Sequence, residues 1–461
     1  MIRIFNHYLH RQTVAQVLFD SALLVLVVLG VLASQSEHFL LVAPLATTQA
    51  LSFAAGVAVI GTASGIYQHA GRLSSAQIFA RAALMLFLAL PLTYAVFAVM
   101  PADLSNRVAL QVAAMGGVAA VVLRRVYLMY TGAQSSGNRC RVLVFGAGSP
   151  ARIVGETIAR ADPNVEIVGY LAGPNERDIA VPDALVLPES RSLMDTARQL
   201  QVDEIIVALT ERRSGSMPMR QLLDCKLTGV KVYDLATHFE KRLGQIRLDF
   251  VNAGWLIFSD GFNQGSWRTG VKRVFDIVIS VLLLVLAAPV MAVTSLLIKL
   301  DSKGPVFYKQ VRTGQDNTEF MVMKFRSMRT DAELDGQPRW ATQQDSRVTK
   351  VGAIIRKLRI DELPQLINVL RGEMSLVGPR PERPFFVEQL TQQIPYFAVR
   401  HSVKPGVTGW AQVRYHYGAT VEDSAEKLQY DLYYVKNHSL FLDLVVLFET
   451  IGVVLTGKGA R

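Results

Sequence analysis

Apolar residues come in blocks along this chain. Four nearly unbroken apolar stretches, about 14–33, 49–67, 79–100 and 107–130, fill the first 130 positions, and each is near the ~20 residues that a bilayer core requires. They predict a four-helix transmembrane bundle over residues 1–133. The polar residues between them predict orientation. Arg3 and Arg11 precede the first stretch, and Glu37 and His38 follow it. Arg72 and Arg81 lie between the second and third, Asp103 and Arg107 between the third and fourth, and Arg124, Arg125, Arg139 and Arg141 gather at the exit. Basic residues favour alternate loops, with Arg107 the exception, so both ends of the unit are expected in the cytoplasm. No small-residue cleavage site closes the first stretch, which reads as a retained span.

A fifth apolar stretch, Val274 to Leu300, has Lys272 and Arg273 before it, Lys299 and Lys303 at its end, and Pro289 near its middle. A through-span would carry one basic end outward, and proline removes a helix hydrogen bond. Charge and proline favour a helix over 272–300 that enters, breaks at Ala288-Pro289 and returns; an ordinary kinked span is the alternative. Leu440–Leu455 is apolar but short, and it carries Asp443 and Glu449. It is expected to pack on a soluble domain or lie in the interface.

Between these blocks the periodicity changes. Arg141 to Phe145 is a strand, Gly146-Ala-Gly148-Ser-Pro-Ala151 a glycine turn, and a helix continues to Arg160. A strand at Val165–Leu171, a helix at Ser192–Gln201, a strand at Glu204–Leu209, a helix at Met219–Lys226 and a strand at Val230–Tyr233 follow. This alternation predicts a Rossmann-like, doubly wound α/β domain over 139–250. Gly146 and Gly148 would admit a pyrophosphate to a helix N-terminus. However, no acidic residue ends the second strand and Pro150 occupies the turn, so closing a tight turn explains the glycines equally well. Residues 251–270 read as a linker; 211–218 and 259–270 are expected to be mobile.

The last region, 271–461, is α-rich. Leu363, Leu366, Ile367 and Leu370 follow i, i+3, i+4, i+7 spacing, and Gly372 supplies a stop. Asp361 and Glu362 stand at the start of this helix, where acidic residues most often cap or complement the dipole.

The chain has 461 residues, half of them apolar, and a net charge of +10. The charge fits anionic partners, namely phosphorylated ligands or acidic lipids, and no basic-aromatic module points to nucleic acid. Cys140 and Cys225 lack metal-ligand spacing and read as free thiols in a reducing cytosol.

Charge density argues that the acidic pair does more than cap a helix. Arg356, Lys357 and Arg359 precede it, and Arg371, Arg380 and Arg383 follow. Gly378-Pro379-Arg380-Pro381 fixes the backbone around one arginine, which suits holding a guanidinium against phosphate. Lys324 and Arg326 add cations just after the apolar hairpin. With a membrane anchor beside them, these residues suit a diphosphate whose co-substrate is a lipid.

An ordered set of motifs carries a resemblance. It comprises Phe275-Asp276, Pro289, Gly304-Pro305-Val-Phe307, Gln310, Arg312, Gly314, Met323-Lys324-Phe325-Arg326-Ser327-Met328-Arg329, Asp361-Glu362-Leu-Pro364-Gln365, Ser375-Leu-Val-Gly378-Pro379-Arg380-Pro381, Pro405-Gly406-Val-Thr408-Gly409-Trp410 and Tyr430-Asp431. Together they resemble the bacterial polyprenyl-phosphate sugar-phosphate transferases, the monotopic phosphoglycosyl transferases, strongly over 270–461. The spans and the α/β domain resemble the N-terminal extension of long members. The resemblance implies transfer of a sugar 1-phosphate from a UDP-sugar to undecaprenyl phosphate with release of UMP, the initiating step of exopolysaccharide or O-antigen-type synthesis. By position it makes Asp361 the nucleophile and Glu362 its acid/base or metal-orienting partner. It also implies Mg²⁺ near Asp361 or Glu362, a site at the bacterial inner membrane, and a homodimer. Arg380 and Arg326 are the expected phosphate clamps, with Lys324, Arg356, Arg359 and Arg383 as further substrate-binding cations. Glu373 stands where the family often has Asp.

Two other functions remain to be weighed. A membrane-anchored, NAD-dependent nucleotide-sugar dehydratase or epimerase would need Tyr-x-x-x-Lys, yet no tyrosine has Lys four residues on; Tyr433 and Lys436 are three apart. A non-enzymatic polysaccharide-assembly scaffold would leave the dyad and its arginines unexplained.

Overall fold

The computed structural model describes residues 2–4, 7–9, 11–35, 39–64, 66–67, 75–98, 106–131, 139–161, 165–174, 176, 178–188, 192–209, 217–251, 253–259, 261–262, 265–330, 347–415, 418 and 420–456. A short antiparallel hairpin, β1 (Ile2–Ile4) and β2 (His7–Leu9), precedes four long helices, α1 (Arg11–Gln35), α2 (Phe39–Ala63), α3 (Ser75–Ala98) and α4 (Arg107–Thr131). Each contains a stretch long and apolar enough to cross a membrane, as does α10 below. Pro44 and Pro91 lie inside α2 and α3. Glu37, His38, Arg72 and Asp103, on which the charge alternation partly rested, lie outside the described residues.

The chain divides into two compact units. One holds the α/β domain: β3 (Cys140–Phe145), α5 (Ser149–Ala161), β4 (Val165–Leu171), α6 (Leu193–Gln199), β5 (Glu204–Val207), α7 (Met219–Leu227), β6 (Lys231–Asp234) and α8 (Leu235–Leu243). Its four strands pair in parallel in the order β4-β3-β5-β6. β3 is apolar on both faces because it is covered on both. Val142 and Val144 pack with α5 and α8 residues, and Leu143 and Phe145 pack with α6 and α7 residues. The expected elements are all present, with ends shifted by at most two residues. Cys140 and Cys225 are free thiols. The loop expected at 211–218 lies outside the described residues up to 216.

The other unit contains the C-terminal region: α9 (Ala253–Phe258), α10 (Gly265–Asp301), β7 (Phe307–Thr313), β8 (Glu319–Phe325), α11 (Lys350–Lys357), α12 (Gln365–Arg371), β9 (Ser375–Val377), α13 (Pro384–Gln393), β10 (Gly406–Thr408), α14 (Trp410–Arg414), α15 (Val421–Asn437) and α16 (Leu440–Thr456). Antiparallel β7-β8 and parallel β9-β10 are its two small sheets. Residues 265–270, expected as mobile linker, are the first turns of α10. Helical backbone also continues through Ala288-Pro289, where a break was expected. One lost hydrogen bond does not interrupt so apolar a segment, of which only 11% is buried.

Both ends of α10 are tied to this one domain. Near its start, Lys272 pairs with Asp443 at 2.6 Å, and Arg273 donates to the carbonyls of Val369 and Leu370 at the end of α12. Asp276 accepts from the Leu376 N–H. At its other end, Ile298 packs with Phe325 and Ile355, and Asp301 accepts from the Val351 N–H. The last helix, α16, packs on the domain: Asp443 also accepts from the Tyr434 hydroxyl at 2.7 Å, and Glu449 pairs with Arg414 at 2.6 Å.

Candidate active site

The acidic pair does not cap α12. Pro364 occupies the N-cap of that helix, and Asp361 and Glu362 lie in a separate 3-10 turn before it, Ile360–Glu362. Arg359 enters the turn in the left-handed region, with φ 58°, which is uncommon for a residue with a side chain. That reversal lets its guanidinium reach Glu362 three residues on. Gly372 ends α12 in the left-handed conformation, as expected.

Glu362 is the hub of a cationic cluster. Its Oε1 accepts from Arg380 Nη1 at 3.1 Å and from Lys324 Nζ at 3.4 Å, and its Oε2 accepts from Arg359 Nη1 at 3.3 Å. Burial pushes its carboxyl up, but Arg380, Lys324 and Arg359 more than reverse this and hold it well below the ordinary carboxylate range. Asp361 differs. Among the described residues it has no ion pair or hydrogen bond through its side chain. Burial pushes its carboxyl up and the Glu362 charge adds to the effect; Lys324, Arg380 and Arg356 oppose it, leaving it raised to about 6. Desolvation and the acidic neighbour outweigh the nearby cations at Asp361. Burial likewise lowers Lys324, against the pull of Glu362.

The sequence-selected cations therefore separate. Lys324, Arg359 and Arg380 meet at Glu362, and Arg356 acts on Asp361 at longer range. Arg383 lies at the N-cap of α13, close enough to Arg312 to lower its pKa after burial has done so. Arg326 is placed elsewhere: its buried guanidinium donates to Lys303 O at 2.6 Å, Ser302 O at 2.8 Å and Ile298 O, capping the C-terminus of α10. Gly146 and Gly148 lie in the other unit. Gly146 has φ +129° and a Cβ there would strike the Ala208 carbonyl, so the turn itself requires glycine. The Glu176 carboxylate accepts from the turn's Ala147 N–H at 2.7 Å and from the Gly173 N–H at 3.1 Å.

Side chains outside the expected catalytic and phosphate-binding set, some of them in the motifs, hold the cluster in place. Arg400 donates to the Arg380 carbonyl at 2.9 Å and pairs with buried Asp431 at 2.8 Å. Arg312 donates to the next carbonyl, Pro381, at 3.1 Å. Gly378 lies where a Cβ would collide with Lys404 O and Gly406 N, so the turn packs tightly against the β10 edge. Asn368, fully buried in α12, accepts from Met323 N–H at 3.0 Å and donates to Met321 O at 2.8 Å and to Glu373 at 2.7 Å. This amide mimics a neighbouring strand and fixes β8, hence Lys324. The signal for Asn368 was visible as a polar residue inside an apolar run. Nothing local links Arg400 to Asp431, 31 residues away.

No group of three or more His, Cys, Asp or Glu side chains able to hold a metal occurs among the described residues. Both Glu362 oxygens are engaged by cations, so of the two carboxylates Asp361 is the one open to a divalent cation. The Tyr433 ring stacks near Trp410, and Lys436 lies over the Trp255 ring.

Residues 267–457 match the family model described as bacterial sugar transferase. Three relatives are similar. A UDP-N-acetylgalactosamine-undecaprenyl-phosphate N-acetylgalactosaminephosphotransferase of Aeromonas hydrophila is 41% identical over 57% of this chain and 61% of its own length. A UDP-glucose:undecaprenyl-phosphate glucose-1-phosphate transferase of Xanthomonas campestris pv. campestris is 31% identical over 74% of this chain and 72% of its own length. The exopolysaccharide production protein PSS of Rhizobium leguminosarum bv. phaseoli is 43% identical over 41% of this chain and 98% of its own. The chain thus spans less than two thirds of the Aeromonas protein but most of the other two. With the dyad turn and its cations lying inside the matched region, the chain belongs to the bacterial sugar transferase family.

Proposed function

We propose that this protein transfers a sugar 1-phosphate from a UDP-sugar to undecaprenyl phosphate, releasing UMP, as the initiating step of exopolysaccharide-type glycan synthesis at the bacterial inner membrane. The observation that carries this reading is the division of labour in the dyad. Glu362 gathers three cations, while Asp361 beside it has no partner and a carboxyl raised to about 6, so it is largely ionised at neutral pH and free to attack. An Asp361 oxygen attacks the sugar-bearing phosphorus, the bond from that phosphorus to the UMP oxygen breaks, and UMP leaves with the electron pair. Undecaprenyl phosphate then attacks the same phosphorus through an oxygen, and the Asp361 carboxylate departs. Lys324 and Arg380, gathered at the neighbouring Glu362, would offset the charge that builds on the phosphoryl oxygens. Mg²⁺, when bound at Asp361 and the diphosphate, would offset the negative charge of the donor.

The anchoring of α10 supports the re-entrant arrangement. Residues 272–276 and 298–301 hold the same domain, and a through-crossing would put these attachments on opposite faces of a ~30 Å hydrocarbon core. Basic residues at both ends support a cytoplasmic position for the domain, within reach of a lipid phosphate at that face.

Asp361→Asn should abolish UMP release from a UDP-sugar, by a factor of about 1,000 or more, while the protein still inserts and folds. Retained release by the purified variant would remove Asp361 from the nucleophile's role. A scan of UDP-glucose, UDP-galactose and their N-acetyl forms on the wild type identifies the donor.

A further inference from the structure

Gln365 opens α12, four residues after Asp361, and only 3% of it is accessible. Its side-chain amide has no hydrogen-bond partner among the described residues. It lines a small pocket with Arg312, Lys324, Arg380, Val322, Pro381 and Gly406. The residue is buried as a whole, yet its amide atoms are not closed off from solvent, so they open on this pocket. An unpaired amide facing a cavity beside a reactive carboxylate is therefore poised for something that enters the cavity. The rest of the polar lining limits what that is. Arg312, Lys324 and Arg380 can only donate, and both Glu362 oxygens are taken. Cations suffice for phosphate oxygens, but a substrate hydroxyl needs an acceptor, and among the side chains lining the pocket Gln365 supplies a neutral one.

We propose that Gln365 contacts the sugar phosphate being transferred, its carbonyl accepting a hydrogen bond from a sugar hydroxyl and its NH₂ donating to a phosphate oxygen. The proposal rests on the sugar-phosphate transfer reading and adds a residue that discriminates between donor sugars. Discrimination follows because a site built to pair with a hydroxyl rejects an analogue that lacks it.

The full-length protein, purified in nanodiscs, is assayed for UMP release with its best UDP-sugar and with the single-deoxy analogues of that sugar. Gln365→Leu should lower kcat/KM for the parent donor about 10- to 100-fold. Its thermal midpoint should stay equal or rise, because an apolar side chain of similar size replaces an unpaired amide. One deoxy analogue should cost the wild type a similar factor and cost the variant nothing further. Unchanged kcat/KM in Gln365→Leu overturns the proposal. So does a loss that comes with a lower midpoint, or one shared equally by every deoxy analogue, since either marks a packing role. Absence of UMP release by wild type with every UDP-sugar would instead bring down the transfer reading itself.

Discussion

Two turns in this molecule look built for an anion, and each contains a carboxylate of its own. In the α/β domain, Glu176 accepts from the Ala147 and Gly173 N–H groups, taking up donors that a phosphate would otherwise use. Those two donors are thereby satisfied within the chain. In the C-terminal region, Glu362 takes the cations, but the adjacent Asp361 is left without a partner, beside a pocket lined by Lys324, Arg380 and Gln365. An internal carboxylate closes the first turn and organises the second. A glycine pattern or a cluster of arginines does not by itself distinguish these outcomes; the position of one neighbouring carboxylate does.

Four changes would break or sharpen this contrast. The largest effect on turnover is expected from Glu362→Gln, which leaves three half-buried cations uncompensated at a cost of about 1–3 kcal/mol after solvent screening. UMP release should fall about 100-fold or more. The remaining activity should extend to lower pH, because the Glu362 charge that helps raise Asp361 is gone. An unshifted profile would mean that the two carboxylates do not communicate. Asp431→Ala should follow, destabilising the C-terminal region by about 3–5 kcal/mol because it strands Arg400 in the interior. Denaturation midpoints in detergent measure this, and a change under 1 kcal/mol would show that Arg400 holds the Arg380 turn unaided.

Third, wild-type UMP release should drop about tenfold per pH unit below about 6, as Asp361 takes up the proton that blocks attack, and should level off above that value. A profile flat from pH 5 to 8 would contradict the partnerless, desolvated Asp361. The smallest effect belongs to Glu176→Ala. It should cost the α/β domain about 1–2 kcal/mol by freeing two backbone donors, with turnover unchanged. If that variant alone gains affinity for a nucleotide in a thermal-shift titration, Glu176 is an occupant in competition with a ligand; if it gains none, the turn is purely structural.

Much of this was legible in the chain. The apolar blocks are long-range compositional facts, and four expected spans and a fifth apolar helix follow from length and hydropathy alone. The parallel sheet followed from alternating periods, and the dyad from its motif. Less legible was anything that depended on direction. Arg380 and Arg326 were the expected clamps, with Lys324, Arg356, Arg359 and Arg383 behind them, yet Arg326 caps α10 while Lys324, Arg359 and Arg380 converge on Glu362. Lys324 and Arg326 share the run that leaves β8, and what separates them is which carbonyls and carboxylates the fold brings within 3.5 Å.

By itself the sequence determined the block architecture, the order of strands and helices, and the family to which the motifs belong. These depend on hydropathy, period and residue identity, which are local or cumulative along the chain. Only the tertiary structure decided that Glu362 is saturated and Asp361 is not, that Arg400 and Asp431 brace the Arg380 turn, and that Gln365 faces a pocket unpaired. Those facts are matters of partnership. Desolvation and hydrogen bonding act over a few ångströms between residues tens of positions apart, and no one-dimensional pattern records which groups end up together.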